Sequence, residues 1–274
     1  MKLYLTKKDV QILKSLYATT EPIGSYRQFL QGITFLARED GVHAVASDGK
    51  RLSAYVFTEY KAKKSEVAFL KSEDLIPLLK KKGDFVIDVE ENDIDVNYSI
   101  SIYDEQLIPP KTKQIEVDVK QFKSAITAIQ KVKTKYANPV SITAKEGVLD
   151  VRFATDEKEG NEEEITKAVK ELDDGVEKIE VMPKASRSIW PDTYKHEKEH
   201  AELRKMLERF KAYEIPFKDG NGLENLDVHL PLDNLRKLLM NIGSAKKMVI
   251  FWDDQQSVGF EVNGMTTVIM VMKK

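Results

Sequence analysis

A short polar turn between two apolar strands constrains this chain more than any other feature. The turn is centred on Asp48-Gly49-Lys50. In residues 42–46 before it and 52–57 after it, apolar or small side chains recur at every second position. Alternation with a period of two is typical of strands with one buried face, and an Asp-Gly pair supplies the backbone freedom that a chain reversal needs. The segment therefore predicts a β-hairpin.

Helices and groups of strands alternate along the first part of the chain. Thr6 and Asp9 have the spacing of a capping box, and apolar residues then recur at helical spacing, which predicts a helix over 7–18. Residues 33–38 are predicted to form the strand before the hairpin. A second helix is predicted to begin at Ser72, although Pro77 fits its interior poorly. Two strands, 85–89 and 94–102, are predicted to follow as another hairpin.

The same order then repeats, which predicts two domains. Residues 109–113, Pro-Pro-Lys-Thr-Lys, read as a linker, and we place the domains at 1–110 and 111–274. Residues 140–156 parallel 33–48, a weak internal repeat with a period of about 110 residues. Further predictions for the second copy are a helix capped by Asp118, a helix stopped by Gly243, an Asn263-Gly264 hairpin turn, and an inserted segment at about 185–222 with a charged helix over 195–213.

Composition narrows the class of protein without giving its function. The 274 residues are 42% hydrophobic, enough for two cores. The chain has no cysteine, which excludes disulfides and thiolate metal sites, and no apolar run approaches the roughly 20 residues of a membrane span. We therefore expect a soluble, cytoplasmic protein. The net charge of −2 leaves nucleic-acid binding open, because a balanced total says nothing about where the charges lie.

Residues 196–200 spell His-Glu-Lys-Glu-His, a pattern that occurs in zinc peptidases. On a helix, His196 and His200 lie one turn apart and are able to bind Zn²⁺, with Glu197 as general base. The neighbouring residues are mostly charged, whereas a catalytic zinc helix is normally buried in a dry cleft. A solvated surface helix is the simpler interpretation, and the peptidase hypothesis predicts stoichiometric zinc in the purified protein.

Cationic side chains recur on the polar faces of the four predicted helices. Each one taken singly is typical of a solvated face. If the helices of both domains line one wall, however, the cations face a common space and neutralise phosphates without reading bases. These candidate DNA-facing residues are Lys7, Lys14, Lys80, Lys81, Lys120, Lys123, Lys131, Arg236 and Lys237.

The hairpin and the C-terminal segment together resemble one protein family. Residues 45–52, Val-Ala-Ser-Asp-Gly-Lys-Arg-Leu, are similar to the Ala-Thr-Asp-Gly-His-Arg-Leu signature of the bacterial replicative sliding clamp, the beta subunit of DNA polymerase III. Residues 268–273, Val-Ile-Met-Val-Met-Lys, are similar to the family's C-terminal Val-Val-Met-Pro-Met-Arg. The resemblance matches 1–110 to the middle domain of the three-domain clamp and 111–274, less the insertion, to its last domain.

The resemblance implies an α+β protein of two tandem DNA-clamp-like domains, each with two helices packed on curved antiparallel sheets. It also implies that the hairpin meets the C-terminal strand at a peptide-binding groove between the domains. Without the resemblance, residues 268–272 are more typical of a terminal core strand, although two methionines also suit an adaptable peptide-binding surface. The implied groove residues are Arg27, Leu30, Ser47, Gly49, Lys50, Arg51, Leu52, Pro109, Val268, Ile269, Met270, Val271, Met272 and Lys273.

The function implied is that of a sliding clamp, a DNA polymerase processivity factor that is not an enzyme and needs no cofactor. Its expected partners are duplex DNA, bound without sequence preference, and DNA polymerase and clamp loader, bound through short linear motifs. A six-domain ring requires three copies of a two-domain chain, so a homotrimer is favoured. Lys50, Val271 and Lys273 replace the family's usual His, Pro and Arg. The alternative is a clamp-like protein that binds such peptides without forming a ring.

Overall fold

The fold is described from a computed structural model of the chain. The residues that the structure describes are 2–60, 66–80, 84–88, 108–132, 139–154, 166–167, 169–170, 201–205, 207–217, 226–252 and 256–272.

The first half of the chain contains six described strands and two α-helices. In chain order they are β1 (Lys2–Leu5), α1 (Lys7–Tyr17), a 3₁₀ turn (Gln28–Leu30), β2 (Gly32–Arg38), β3 (Gly41–Ser47), β4 (Arg51–Phe57), β5 (Glu66–Lys71), α2 (Ser72–Leu79) and β6 (Phe85–Asp88). The predicted strand over 94–102 lies outside the described residues.

The second half repeats this order, and two more strands follow β12 (Lys247–Trp252). Its elements are β7 (Lys113–Asp118), α3 (Val119–Lys131), β8 (Pro139–Lys145), β9 (Val148–Phe153), β10 (Tyr213–Pro216), β11 (Leu226–Pro231), α4 (Leu232–Asn241), β12 (Lys247–Trp252), β13 (Ser257–Val262) and β14 (Met265–Met270). Residues 201–205 and 207–210 are also helical.

The repeat extends to the way the strands pair. The strand order β5-β2-β3-β4 of the first half has its counterpart in β11-β8-β9-β10 of the second, and β1-β6 has its counterpart in β7-β12. The two halves join where β4 pairs antiparallel with β14, with Leu52 opposite Val268 and Arg51 opposite Ile269. One eight-stranded sheet, β5-β2-β3-β4-β14-β13-β12-β7, therefore runs through both halves.

Local sequence signals explain where the first helix of each half begins. In α1, the backbone N–H of Thr6 donates to the Asp9 carboxylate at 2.8 Å and the N–H of Asp9 donates to the Thr6 hydroxyl at 3.4 Å, which completes the predicted capping box. In α3, the Asp118 carboxylate accepts from the N–H of Gln121 at 2.8 Å. Both predicted caps are confirmed.

Each half has its own hydrophobic core under its pair of helices. The first core contains Leu13 of α1, Phe35 of β2 and Leu75 of α2. The second contains Phe122 of α3 and Trp252 of β12. Helices α1 and α2 contact each other, as do α3 and α4. The protein is thus α+β, with two tandem domains that each pack two helices on antiparallel sheets.

Helix α2 begins at Ser72 as predicted, but its N-cap is Lys71, and the Ser72 hydroxyl is buried without a hydrogen bond among the described residues. Pro77 is accommodated inside the last turn of this short helix. The charged helix expected over 195–213 ends earlier, because Tyr213 begins β10 and pairs with Val151 of β9.

The position of β10 shows that the long connection of the second half lies between β9 and β10. In the first half, β3 and β4 are joined by the short turn at Asp48–Lys50, whereas their counterparts β9 and β10 are joined by residues 154–212. The second half thus has a long connection where the first has the signature turn.

Candidate peptide-binding groove

The Asp48–Lys50 turn is held by side chains that bond to its own backbone. The Asp48 carboxylate accepts from the N–H groups of Lys50 (3.0 Å) and Arg51 (2.8 Å). The Ser47 hydroxyl accepts from the N–H of Gly49 at 3.0 Å and donates to the carbonyl of Arg51 at 2.8 Å. Gly49 has a φ of +78°, where other residues are strained. These bonds fix the shape of the turn.

Arg51 anchors this turn to the first domain. Its side chain is buried, and its guanidinium donates to the Asp48 carboxylate at 2.8 and 3.0 Å and to the carbonyl of Ala18, just after α1, at 3.1 Å. Sequence reasoning placed Arg51 in the groove without a specific task. In the structure Arg51 borders the groove, but its guanidinium is already bonded to Asp48 and to the Ala18 carbonyl.

The C-terminal strand forms the opposite side of the groove. The N–H of Met270 donates to the carbonyl of Lys50 at 3.2 Å, so the predicted meeting of hairpin and C-terminal strand is observed. Successive side chains of a strand point to opposite faces. Val268 and Met270 therefore line the groove, whereas Ile269 is fully buried in the core of the second domain. Ile269, which was also predicted to line the groove, therefore lies on the opposite face of the strand.

The resulting groove has a volume of about 330 Å³, near the lower end of the range typical of ligand pockets, about 300–1,000 Å³. It lies where the two domains join, and its wall combines the 3₁₀ turn, the hairpin and β14. The lining residues are Arg27, Phe29, Leu30, Ser47, Gly49, Lys50, Arg51, Leu52, Val268 and Met270.

Phe29 is the lining residue that sequence reasoning missed. It lies between Arg27 and Leu30, both of which the resemblance identified, in a segment with no clear period. The available signal was a large aromatic residue in a short polar stretch. The 3₁₀ geometry of residues 28–30 turns Phe29 outward and Leu30, which is 4% exposed, inward.

Arg27 is held against the hairpin. Its guanidinium forms an ion pair with Glu21 and lies 5.8 Å from the centre of the Tyr26 ring. The end of the Arg27 side chain lies close to Gly49, where the positive φ of the turn favours glycine. The Nε of Arg27 is buried without an acceptor among the described residues.

Three further predicted groove residues, Pro109, Val271 and Met272, do not line the cavity. Pro109 is buried, next to Ile108, which packs on a small cluster that contains Leu52. The strand ends at Met270, two residues before the predicted end. Val271 then packs against the second core, and the N–H of Met272 donates to the carbonyl of His229 in β11 at 2.8 Å. The chain thus turns away from the groove after Met270. Lys273 lies outside the described residues.

The candidate DNA-facing cations lie on or directly after the four helices. Helix α3 carries three lysines and no acidic residue, and the one aspartate of α1 is engaged in its capping box. Arg236 is half-buried and 3.4 Å from Asp233. Lys81 lies outside the described residues. The candidates that are exposed are Lys7, Lys14, Lys80, Lys120, Lys123, Lys131 and Lys237.

The zinc hypothesis falls on a part of the chain without structural description. His196, Glu197 and His200 all lie outside the described residues. Within the described ranges, no group of three or more His, Asp or Glu side chains has the arrangement of a metal site. Likewise, no helix in the described part is long and apolar enough to span a membrane.

Comparison with solved structures gives the fold a name. A DNA polymerase sliding clamp from Pseudomonas aeruginosa aligns with 100% of this chain and 67% of its own length, at a TM-score of 0.65 and 12% identity. The DNA polymerase III subunit beta from Bartonella birtlesii, bound to griselimycin, aligns over 100% and 66%, at a TM-score of 0.62 and 13% identity. The chain has a sliding-clamp fold.

The C. crescentus beta sliding clamp gives a similar result, with a TM-score of 0.61, 13% identity and coverage of 100% of this chain and 65% of the clamp. The chain therefore spans about two thirds of the length of these clamps. No protein-family profile matches the sequence, and no curated protein matches it. The sliding-clamp fold is thus evident from structure at a level of identity where sequence comparison fails.

Proposed function

We propose that this protein is a sliding clamp, a DNA polymerase processivity factor that encircles duplex DNA and holds a polymerase through a short peptide bound in the groove. The observation that carries the proposal is the groove itself: in a sliding-clamp fold, the signature turn and the C-terminal strand meet between two domains, proposed to be 1–110 and 111–274. The mechanism is topological. No bond is made or broken and no cofactor takes part.

The groove suits a peptide for physical reasons. Leu30, Leu52 and Val268 supply an apolar floor, and Met270 is 46% exposed at its rim. An unbranched, polarisable methionine adapts to side chains of different shapes, as is needed to bind the segments of several partners such as a polymerase and a clamp loader.

DNA binding is proposed to rest on the exposed lysines of the helices. Lysines contact phosphates as point charges and carry no information about base identity. Support comes from α3, which carries three lysines and no acidic residue. The first turn of α2 opposes this trend because it carries Glu73 and Asp74, so we assign the stronger DNA contact to α1 and α3. Affinity should fall steeply with salt.

Ring closure is proposed to use β10. Its counterpart in the first half, β4, is covered by β14 of the second half, whereas no described strand lies on the outer side of β10. A cavity of about 600 Å³ lies between β10 and α3, lined in part by Ser124, Tyr213 and Ile215. A strand from a second copy would continue the sheet there, and repetition of this contact closes a head-to-tail ring. Three copies give six domains.

A trapping experiment tests this function without a clamp loader. The protein is allowed to thread onto linear duplex DNA with biotinylated ends, streptavidin is added to block the ends, and the DNA is washed in high salt. A closed ring stays on the blocked DNA and is released when a restriction enzyme cuts it.

The control adds streptavidin before the protein, when a closed ring has no free end to enter. Retention that depends on this order supports encirclement. Loss of the protein in the salt wash under both orders would contradict it and favour a clamp-like protein that binds peptides without a ring.

A further inference from the structure

Another cavity, with a volume of about 350 Å³, lies at the start of α2. Its wall combines the loop before the 3₁₀ turn with the first residues of α2, and exposed lining residues include Ile23, Gln28 and Lys71. The 3₁₀ turn separates this cavity from the groove, because Gln28 lines the cavity and Phe29 lines the groove. No described residue lines both, so the cavity is a second place where a ligand is able to bind.

This cavity contains a buried hydroxyl group with nothing to bond. Ser72 lines the cavity and is 1% exposed, and its hydroxyl has no hydrogen-bond partner among the described residues. The backbone N–H of Ser72 donates to the carbonyl of Gln31 at 2.8 Å, so the side chain alone is left over. A buried polar group without a partner is destabilising and calls for a missing partner or a function.

The internal repeat indicates that the fold does not need a hydroxyl at this position. Helix α4 begins directly after β11, just as α2 begins directly after β5. The first residue of α4 is Leu232, which is 2% exposed and belongs to the second core. The same place in the fold thus accepts an apolar side chain, which avoids the cost of an unpaired hydroxyl. A ligand explains the serine better than packing does.

The groups around Ser72 suit a ligand that carries both signs of charge. The N-cap residue Lys71 makes no side-chain bond to α2, so the N–H groups of the first turn stay available, and a helix N-terminus attracts negative charge. Lys71 adds an ammonium group to the wall of the cavity, and Glu73 adds a carboxylate. Glu73 would repel a phosphate dianion, whereas a zwitterion finds a partner for each of its charges.

We propose that this cavity binds a free α-amino acid. The carboxylate of the ligand accepts hydrogen bonds from the first turn of α2 and from the Ser72 hydroxyl, close to the Lys71 ammonium. The ammonium group of the ligand donates to Glu73, and its side chain lies against Ile23. The cavity volume is near the lower end of the range of ligand pockets, about 300–1,000 Å³, which suits a ligand of this size.

The experiment uses the full-length protein and three probes at neutral pH: leucine, leucinamide, which lacks the carboxylate, and N-acetylleucine, which lacks the ammonium. Saturation-transfer difference NMR titrations give the Kd of each probe. The variants Ser72→Ala, Lys71→Gln and Glu73→Gln each remove one ligand contact. Lys246→Gln makes the same change as Lys71→Gln at an exposed position outside the cavity. Urea unfolding of each variant measures its stability.

We expect leucine to bind and leucinamide to bind about tenfold more weakly or less, because hydrogen bonds to a charged group are the strong ones. Lys71→Gln and Glu73→Gln should each weaken leucine binding by about 1.4- to fivefold, since both side chains are exposed. Glu73→Gln should not weaken the binding of N-acetylleucine, which has no ammonium to lose. Lys246→Gln should leave every Kd unchanged.

Ser72→Ala separates a ligand site from a structural role. It should weaken leucine binding by about two- to tenfold without lowering the stability of the unliganded protein, because the hydroxyl has no protein partner to lose. A clear loss of stability in Ser72→Ala would show that the hydroxyl already has a partner and would overturn the proposal. So would a failure of leucine to bind, equal binding of all three probes, or a leucine Kd that Ser72→Ala and Lys71→Gln leave unchanged.

Discussion

Alanine substitution at two adjacent residues of β14 is expected to affect stability and peptide binding to very different extents. Ile269 is fully buried in the core of the second domain, so Ile269→Ala should lower the free energy of unfolding by about 2–5 kcal/mol. Met270 is 46% exposed at the groove, so Met270→Ala should lower it by less than about 1 kcal/mol. The difference follows from the strand's alternation between its two faces.

Peptide affinity should show the reverse order. Burial of a whole methionine side chain contributes about 1.5–3 kcal/mol. Burial of the exposed 46% of Met270 therefore contributes up to about 0.7–1.4 kcal/mol, which predicts a three- to tenfold weaker Kd for Met270→Ala. Ile269→Val, which costs about 0.5–1.5 kcal/mol of stability, should leave Kd unchanged within about twofold.

Urea unfolding measures stability, and fluorescence anisotropy with a fluorescein-labelled octapeptide that carries large apolar side chains at its centre measures peptide affinity. Ile269→Val serves as the folded comparison in case Ile269→Ala does not fold. The reasoning would be refuted if Met270→Ala destabilised the protein as much as Ile269→Ala, or if Ile269→Val weakened peptide binding while Met270→Ala did not.

Three further predictions concern the residues that support the groove. The buried Ser53 hydroxyl is 2.9 Å from those of both Thr19 and Thr267 across the joint between the domains, so Ser53→Ala should destabilise the protein by about 1–3 kcal/mol in urea unfolding, and no measurable loss would contradict this role. Asp48→Ala leaves the Arg51 guanidinium buried without its carboxylate and should cost about 3–5 kcal/mol; combination with Arg51→Met should recover part of the loss, and a purely additive double variant would count against the pairing. A hydrogen bond from the His43 imidazole lowers the pKa of Asp40, so this bond should stabilise the protein fully above about pH 4 and lose its effect as the pH falls through the lowered pKa. The difference in unfolding free energy between the wild type and Asp40→Asn should therefore shrink in acid, and a constant difference would rule this out.

Short sequence motifs were enough to predict the helix caps and the hairpin turn of the second half. The capping residues Thr6 and Asp118 both form the expected bonds. Asn263 and Gly264 have φ angles of +51° and +79°, as their predicted hairpin turn requires. In each case the residues that carry the signal also make the contacts, so no knowledge of distant parts of the chain is needed.

Features set by distant contacts were harder to predict. The pairing of β4 with β14 followed from resemblance to a family, since alternation shows that a strand has two faces but does not show which strand lies beside it. The strand β10 was missed because it is short and follows a charged stretch, and its pairing with β9 decides its conformation. Alternation along the strand predicts that Ile269 and Met270 point to opposite faces. Matching the segment residue by residue to the C-terminal sequence of the family instead assigned both residues to the groove.

The oligomeric state tests the central claim most directly. Light scattering across a concentration series measures the mass in solution without a label or a partner. A closed ring of six domains predicts a species of about 94 kDa, three times the subunit mass of 31.3 kDa. A protein that remains at the subunit mass throughout the micromolar range would contradict a ring closed by copies of this chain.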